Sequence, residues 1–475
     1  GRARTLRAMI AALGSRISKV FERTAPDPLT LAVLLTLLTM VLSVALGDFT
    51  ANPAIGTIDA WRSESGLWRF LAFAMQMCLI LVTGHAVASS AAAQRLIGRL
   101  ADMPRSGAQA ALMIGLIAAL AALLNWGLGL IAGALLAREV GRSLESRGVR
   151  HHYPLLAASG YVGLAVWHGG LSGSAPLTVS SEANMARVLP NDLIETVGPI
   201  GLDSTVFSPL NLFVTGGLVV LLPLTLFALS PGRAHEARSI RQAAPGVADE
   251  RSNDTQPHAA PTSVPERLAR SPWLAWLLAL VILAAAARFA LEGGLARIAT
   301  NLRSTGLNEV TLLMLGLGLL AHGSLHDYGR AIEDAARGCA GIILQFPLYA
   351  GIAGVLGASG LIARAAGALE GVGPGALEVL TFAAAGVVNF FVPSGGGQFG
   401  VQGELLLRAG LAAGIEPGRM VMAFAYGDQL TNMLQPFWAL PLLAITGCKA
   451  REIVGYTAVV MVVAAAWSVL GLLVI

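Results

Sequence analysis

Charge is what this sequence has least of. Only 13% of its 475 residues are Asp, Glu, Lys or Arg, while 55% are hydrophobic; a soluble domain carries about 25% charged residues. That shortage excludes a water-soluble globular fold. Cysteine is scarce too. Cys78, Cys339 and Cys448 lie inside or at the ends of apolar runs with no CxxC pair among them, which argues against a disulfide framework or a thiolate metal site and for small buried hydrophobes. No GxxxxGK[ST] phosphate loop occurs, so ATP-driven work is disfavoured. Neither HExxH nor a Ser/Lys or paired-Asp constellation points to a membrane-embedded enzyme. The formal charge of +4 does not signal nucleic acid, because the basic residues sit in short loops beside apolar runs rather than on one face of a domain.

What is present is a series of apolar runs of about 18 to 25 residues, long enough to cross roughly 30 Å of hydrocarbon at 1.5 Å per residue. Full crossings are expected at about 29–47, 67–90, 153–177, 206–229, 272–291, 308–325, 338–356, 420–447 and 453–474, an odd number. Two further apolar blocks, about 107–137 and 374–407, are interrupted by polar and glycine-rich sequence: Asn125-Trp126-Gly127-Leu128-Gly129 in one, Asn389 through Gln398 in the other. Both read as re-entrant hairpins. Arg2, Arg4, Arg7, Arg16, Lys19 and Arg23 precede the first run, as in a signal peptide. That run is too long for one, starts after Pro26 and Pro28, and lacks a small-residue cleavage signature. A basic amphipathic helix over 1–24 on the cytoplasmic surface, followed by a retained crossing, is expected.

Charge placement supports this topology, since cytoplasmic loops are enriched in Lys and Arg. Arg95, Arg99 and Arg105 precede the first interrupted block, and Arg138, Arg142, Arg147 and Arg150 follow its core, so the block enters and leaves on the cytoplasmic side. The acidic or mixed loops at 48–64 and 182–203 fit the outside. Residues 231–270 are polar, contain five prolines and carry Arg233, Arg238, Arg241, Arg251, Arg267 and Arg270. They read as a flexible cytoplasmic linker between a first membrane unit, 25–230, and a connecting helix with a second unit, 271–475. The N-terminus is then cytoplasmic and the C-terminus outside.

The two halves carry the same polar landmarks in the same order, Gln76, Asn125 and Pro176 against Gln345, Asn389 and Pro436. From glutamine to asparagine is 49 residues in the first half (76 to 125) and 44 in the second (345 to 389). From asparagine to proline the spacings are 51 (125 to 176) and 47 (389 to 436). Order, spacing and residue type agree together, which favours structural repeats over chance similarity of glycine-rich helices. Because the second unit starts after an odd number of crossings, it is inverted. The two hairpin tips then meet near the midplane, where inverted-repeat transporters build substrate sites.

Irregular backbone at membrane depth survives only where protein or a water-filled cavity satisfies it. It is expected four times: at the tips Asn125 to Gly129 and Pro393 to Gln398, and at breaks over Gly169 to Ser174 and Gln429 to Asn432. A half-helix that starts there offers unpaired N–H groups and a positive dipole end to an anion. A carboxylate needs no buried arginine in such a place, and no Lys or Arg falls at these tips. Candidate substrate ligands are Asn125, Gly127, Ser172, Gly173, Ser174, Asn389, Ser394, Gly395, Gly396, Gly397, Gln398, Thr431 and Asn432. Gln76, Gln345, His168 and Gln435 are secondary candidates. Small residues in such helices also serve close packing; three glycines in a row after Pro393 break a helix rather than pack one. Asp428 is the one carboxylate well inside a late apolar span, a costly place for charge. It either serves the coupling ion, H⁺ or Na⁺, together with Asn125 and Asn389, or caps the break. His85 has no ligand partner at metal spacing, and His322 and His326 lie in a charged loop, so no metal site is expected.

The stretches Pro26-Asp27-Pro28-Leu29, Ala74-Met75-Gln76-Met77, Thr83-Gly84-His85-Ala86, Asn125-Trp126-Gly127, Ser172-Gly173-Ser174, Val392-Pro393-Ser394-Gly395-Gly396-Gly397 and Gln435-Pro436-Phe437-Trp438-Ala439-Leu440-Pro441 closely resemble the bacterial short-chain fatty acid transporter family over nearly the whole chain. His168 stands where that pattern leads one to expect glycine. Asp428 stands where it leads one to expect Glu, which keeps the charge and shortens its reach. The resemblance implies ion-coupled uptake of acetoacetate, butyrate or similar monocarboxylates across the inner membrane, with no cofactor beyond the coupling ion. It also implies kinship with the ion transporter superfamily, whose dicarboxylate members use two inward-pointing hairpins and an elevator motion. From that kinship come a scaffold domain, a transport domain and a homodimer in the lipid bilayer. The fold expected is thus an all-α polytopic membrane protein of two inverted-topology repeats, each with a re-entrant hairpin and a broken transmembrane helix. Carriage of another small organic anion such as a dicarboxylate, a channel, and a membrane-embedded enzyme are the competing readings.

Overall fold

The computed structural model describes residues 28–49, 52–230, 237–249, 263–292, 306–368, 371–389, 392 and 394–475. The surface helix expected over 1–24 lies outside the described residues. Among those described there is no β-strand, and the order of the main helices is α1 Pro28–Leu46, α2 Pro53–Arg62, α3 Leu71–Ser89, α4 Ala91–Ala101, α5 Gly107–Leu124, α6 Trp126–Ser146, α7 Tyr153–Tyr161, α8 Ser174–Val179, α9 Pro209–Ala228, α10 Pro272–Ala290, α11 Leu307–His322, α12 Leu325–Ala336, α13 Ala340–Ala358, α14 Pro374–Asn389, α15 Gly395–Ala412, α16 Pro417–Thr431, α17 Pro436–Thr446 and α18 Ala450–Val474. Six described helical stretches are long and apolar enough to cross a membrane: α3, α5, α9, α10, the continuous stretch of α12 and α13, and α18. Leu34, Leu37, Leu38 and Val41 on α1 and Trp273, Leu277, Leu280 and Val281 on α10 are exposed, an apolar exterior that suits lipid rather than water.

Of the remaining expected crossings, 29–47 is the 19-residue apolar helix α1, 308–325 is a shorter apolar helix, α11, and 153–177 and 420–447 are each split. The first break lies where the glycines are. After α7 the chain tightens into 3₁₀ turns over Val162–Ala165 and Trp167–Gly169, runs non-helical through Gly173 and resumes as α8. The second break lies later than Gln429. The helix continues through Thr431, passes into a 3₁₀ turn over Asn432–Leu434, and restarts at Pro436. Proline explains the displacement: it holds Gln435 extended, with φ −86° and ψ 125°, and suits the first helical position, where no N–H is needed.

Each interrupted block is split into two helices. Asn125 alone joins α5 to α6: its N–H closes α5 on the Ala121 carbonyl (3.0 Å), and its side chain accepts from the Leu128 N–H (2.9 Å) to open α6. The outer ends of this pair lie together, with the Ser143 hydroxyl donating to Asp102 (2.7 Å). The arms are longer than expected, since Arg138 and Arg142 stay within α6 by pairing with Glu139. In the second pair, Gln398 Nε2 of α15 donates to the Ala385 carbonyl of α14 (2.7 Å).

Part of the linker expected to be flexible is docked. Residues 237–249 form short helices over Ile240–Ala243 and Pro245–Asp249, with Ile240 fully buried. Arg142 donates to the Val247 carbonyl (2.6 Å), the Tyr153 N–H donates to the Arg238 carbonyl (2.8 Å), and Arg238 pairs with Glu452 of α18 (2.9 Å). Ala244 is buried as well, and the Arg238 and Ile240 N–H groups donate to His152 Nδ1 (3.1 Å) and His151 Nε2 (3.3 Å).

Candidate functional site

The second tip and the two breaks, with the first residue of α6, converge on one small interior cavity. Its polar side is Ser174, Ser394, Asn432 and the backbone at Gly395 and Gly396; its apolar side is Trp126, Trp167, Trp438, Met77, Leu164 and Ile342. No lysine or arginine lines it. Its free volume is about 30 Å³, room for about two waters. The indoles hold one another edge to face, Trp126 against Trp167 (6.1 Å between centroids) and against Trp438 (5.1 Å).

The tips present different faces to this cavity. At the first, two of the three N–H groups of the α6 first turn are already taken: Trp126 N–H donates to Ser172 Oγ (2.9 Å) and Leu128 N–H to Asn125 Oδ1. Asn125 Nδ2 reaches the Ile80 carbonyl of α3 (3.2 Å). At the second, Ser394 caps α15 through the Gly397 N–H (3.3 Å) and takes the Gln398 N–H on its carbonyl (2.7 Å). The N–H groups of Gly395 and Gly396 precede the first intrahelical bond and lie at the cavity, so the positive end of α15 faces it. Glycine is required here. A Cβ at 395 would lie 2.8 Å from His168 Cε1 and Trp167, one at 396 2.8 Å from Phe73, and one at 397 2.8 Å from Tyr349.

Behind Ser174 lies a buried hydrogen-bonded pair of ionisable side chains. His168 Nδ1 is 2.7 Å from Asp428 Oδ2, with both side chains 0–1% exposed. The Ala175 N–H donates to His168 Nε2 (3.0 Å), and Ser174 Oγ is 3.3 Å from the same nitrogen. Trp167 stacks on the imidazole at 4.4 Å.

Asn389 sits one layer deeper. Its Nδ2 donates to the Asp428 carbonyl (2.7 Å), Thr431 Oγ1 (2.9 Å) and Asn432 Oδ1 (3.0 Å), and Thr431 donates to the Gly386 carbonyl. Gln435 Nε2 donates to the Asn389 carbonyl. In this region Asn389 Oδ1, Gln398 Oε1, Asp428 Oδ1 and Gln435 Oε1 are buried with no partner among the described residues, an acceptor-rich neighbourhood that suits a cation, a proton or water. No group of three His, Cys, Asp or Glu among the described residues could hold a metal ion.

Of the substrate candidates, Ser174, Ser394, Gly395, Gly396 and Asn432 line the cavity; Asn125, Gly127, Ser172, Gly173, Asn389, Gly397, Gln398 and Thr431 are not part of its lining. Gln76 bonds to Asn308 and Gln345 to Tyr349, away from it. Sequence reasoning missed the apolar wall. A signal for it existed, since an indole stands within a few residues of three of the four polar interruptions: Trp126, Trp167 and Trp438.

Comparison with known proteins agrees with this architecture. The model of the short chain fatty acid transporter family matches residues 9–475. An Escherichia coli protein named "Putative short-chain fatty acid transporter" is 37% identical, over 98% of this chain and 99% of its own; a Haemophilus influenzae protein of the same name is 33% identical over the same shares. Two solved transporters share the fold: YdaH of Alcanivorax borkumensis (TM-score 0.57, 18% identity, 94% of this chain and 97% of that one) and Neisseria gonorrhoeae MtrF, described among antimetabolite efflux pumps (TM-score 0.56, 16% identity, 97% and 96%). A multi-pass membrane transporter for a small carboxylate rather than an enzyme, this chain belongs to the short-chain fatty acid transporter family.

Proposed function

We propose that this protein is a secondary active, ion-coupled carrier of short-chain monocarboxylates such as acetoacetate and butyrate in a bacterial inner membrane. One observation carries the reading: a single buried cavity sets the free N–H groups of Gly395 and Gly396, with Ser174, Ser394 and Asn432, opposite a wall of three indoles, Met77, Leu164 and Ile342. The polar side suits one carboxylate, held at a helix N-terminus as oriented N–H groups hold anions. The apolar side suits a short alkyl tail. A dicarboxylate would bring a second charge against indole with no cation to meet it.

The free space left at the empty tip is smaller than the cargo, so α15 moves aside to admit it and closes again over it. Two of its glycines, Gly396 and Gly400, lie against Phe73 and Phe70, a smooth contact with no α15 side chain at either position. We assign the two helix pairs as re-entrant hairpins of inverted repeats, and the motion as elevator-type against a scaffold anchored by a second copy. The N-terminus is cytoplasmic and the C-terminus outside. The test is counterflow in proteoliposomes. Unlabelled acetoacetate inside accelerates entry of labelled acetoacetate, and butyrate competes better than succinate. A non-saturating flux without counterflow would indicate a channel, and stronger competition by succinate would overturn the monocarboxylate assignment.

A further inference from the structure

Resting on that transport reading, we propose that His168 and Asp428 form the coupling site, binding one proton per carboxylate carried, with Ser174 linking them to the cavity. The hydrogen bonds define the state of the pair. The Ala175 backbone N–H can only donate, and it points at His168 Nε2 (3.0 Å). The ring hydrogen is therefore on Nδ1, where it donates to Asp428 Oδ2 (2.7 Å), and the imidazole is neutral. The charge of the pair is that of the carboxylate, and one of its oxygens, Oδ1, is buried with no partner. A proton on Oδ1 removes the charge and leaves every existing bond in place.

No neighbouring charge competes for this role among the described residues. The elements packed against the pair are α5, α8, α14, α15, α16, α18 and the two 3₁₀ stretches. The ionisable groups they carry are otherwise engaged. Glu378 of α14 holds Arg419 of α16, Glu404 of α15 holds Arg408, and Glu452 of α18 holds Arg238. Tyr426 donates to Asn211 and Tyr456 carries a ring contact with His152. Arg451 is exposed at the start of α18.

Obligatory coupling follows from the α15 N-terminus. Residue 395 lies so close to the pair that a Cβ there would be 3.0 Å from Asp428 Oδ2. The positive end of α15 thus has two possible anions to meet, the Asp428 carboxylate and the carboxylate of the cargo. Two anions at one helix end repel. Protonating Asp428 releases the N–H groups of Gly395 and Gly396 to the cargo, so the anion binds after the proton and the two cross as a neutral unit.

Proteoliposomes in Na⁺-free buffer test this with labelled acetoacetate, subtracting protein-free vesicles because neutral acids leak through lipid. An inside-alkaline gradient drives accumulation, an entrapped pH dye reads one proton entering per acetoacetate, and imposed voltage changes the rate less than twofold. Asp428→Asn, a mimic of the protonated acid, loses tenfold or more of gradient-driven accumulation while exchange falls less than threefold. His168→Gln shifts the pH profile of uptake by a unit or more, whereas a merely structural histidine would lower amplitude without moving it. Wild-type accumulation by Asp428→Asn, or uptake that requires Na⁺ and carries no protons, overturns the proposal. If either variant fails to fold, the wild-type proton count still decides. Absence of any exchange by the wild type would sink the transport reading itself, and exchange without proton entry sinks only this one.

Discussion

Gly395→Ala is the sharpest single perturbation of the site. The added methyl would meet His168 Cε1 and Trp167 at 2.8 Å and Asp428 Oδ2 at 3.0 Å. All three neighbours are buried and locked by stacking or hydrogen bonds, so none yields cheaply. Overpacking of this kind costs about 1–3 kcal/mol, and only the closed arrangement of the tip carries the cost. At about 1.4 kcal/mol per tenfold, closure becomes roughly 5- to 150-fold less favourable. The open arrangement carries no such loss, and there alanine is the better helix former by up to about 1 kcal/mol. The expected outcome is a fall in apparent acetoacetate affinity of about tenfold or more, read from the concentration dependence of counterflow, with thermal unfolding in detergent shifted by only a few degrees. Gly98→Ala is the control, because a Cβ at 98 meets nothing within 4 Å; it leaves transport unchanged. An affinity within twofold of wild type in Gly395→Ala would refute the closed tip as the binding arrangement.

Arg419→Ala strands the Glu378 carboxylate, which accepts two bonds of 2.7 Å from that guanidinium and is 3% exposed; a loss of about 3–5 kcal/mol is expected, seen as lower melting temperature and yield. Ile342→Ala opens the apolar wall, so hexanoate gains on butyrate in competition assays, by about fourfold for each methylene newly buried. Asn125→Ala removes a helix cap and a tie to α3, and it reduces stability by about 1 kcal/mol or more. Ser394→Ala weakens acetoacetate binding more than it weakens the fold. Cysteines at 105 and 147 label from one side of the membrane and cysteines at 373 and 412 from the other; opposite-side labelling within either pair would make that block a single crossing.

The helix pairs were legible because their interruptions are extreme: Asn125 in an apolar run, and three glycines after Pro393, leave no regular alternative. The displacement of the second break to Asn432–Leu434 shows that Pro436, whose ring dictates the preceding residue, is a stronger signal than the polar residues Gln429 and Thr431. The pairing of His168 with Asp428 spans 260 positions, and no local pattern reports a partner so distant. The cavity wall was hidden for the opposite reason. In a membrane helix Met77, Leu164 and Ile342 look like their lipid-facing neighbours, and only packing distinguishes an inward apolar residue from an outward one. The docked segment 237–249 was obscured by its composition, which is that of a free chain.

The indole cluster has a practical consequence: the protein carries its own optical reporter. Three of its eight tryptophans border the cavity, and one of them, Trp167, lies flat on His168. Emission from these rings senses both the polarity of the cavity and the charge of the His168–Asp428 pair beneath Trp167. Replacing Trp61, Trp68, Trp273, Trp276 and Trp467 by phenylalanine would leave a spectroscopic window on cargo arrival and tip closure, free of any attached dye.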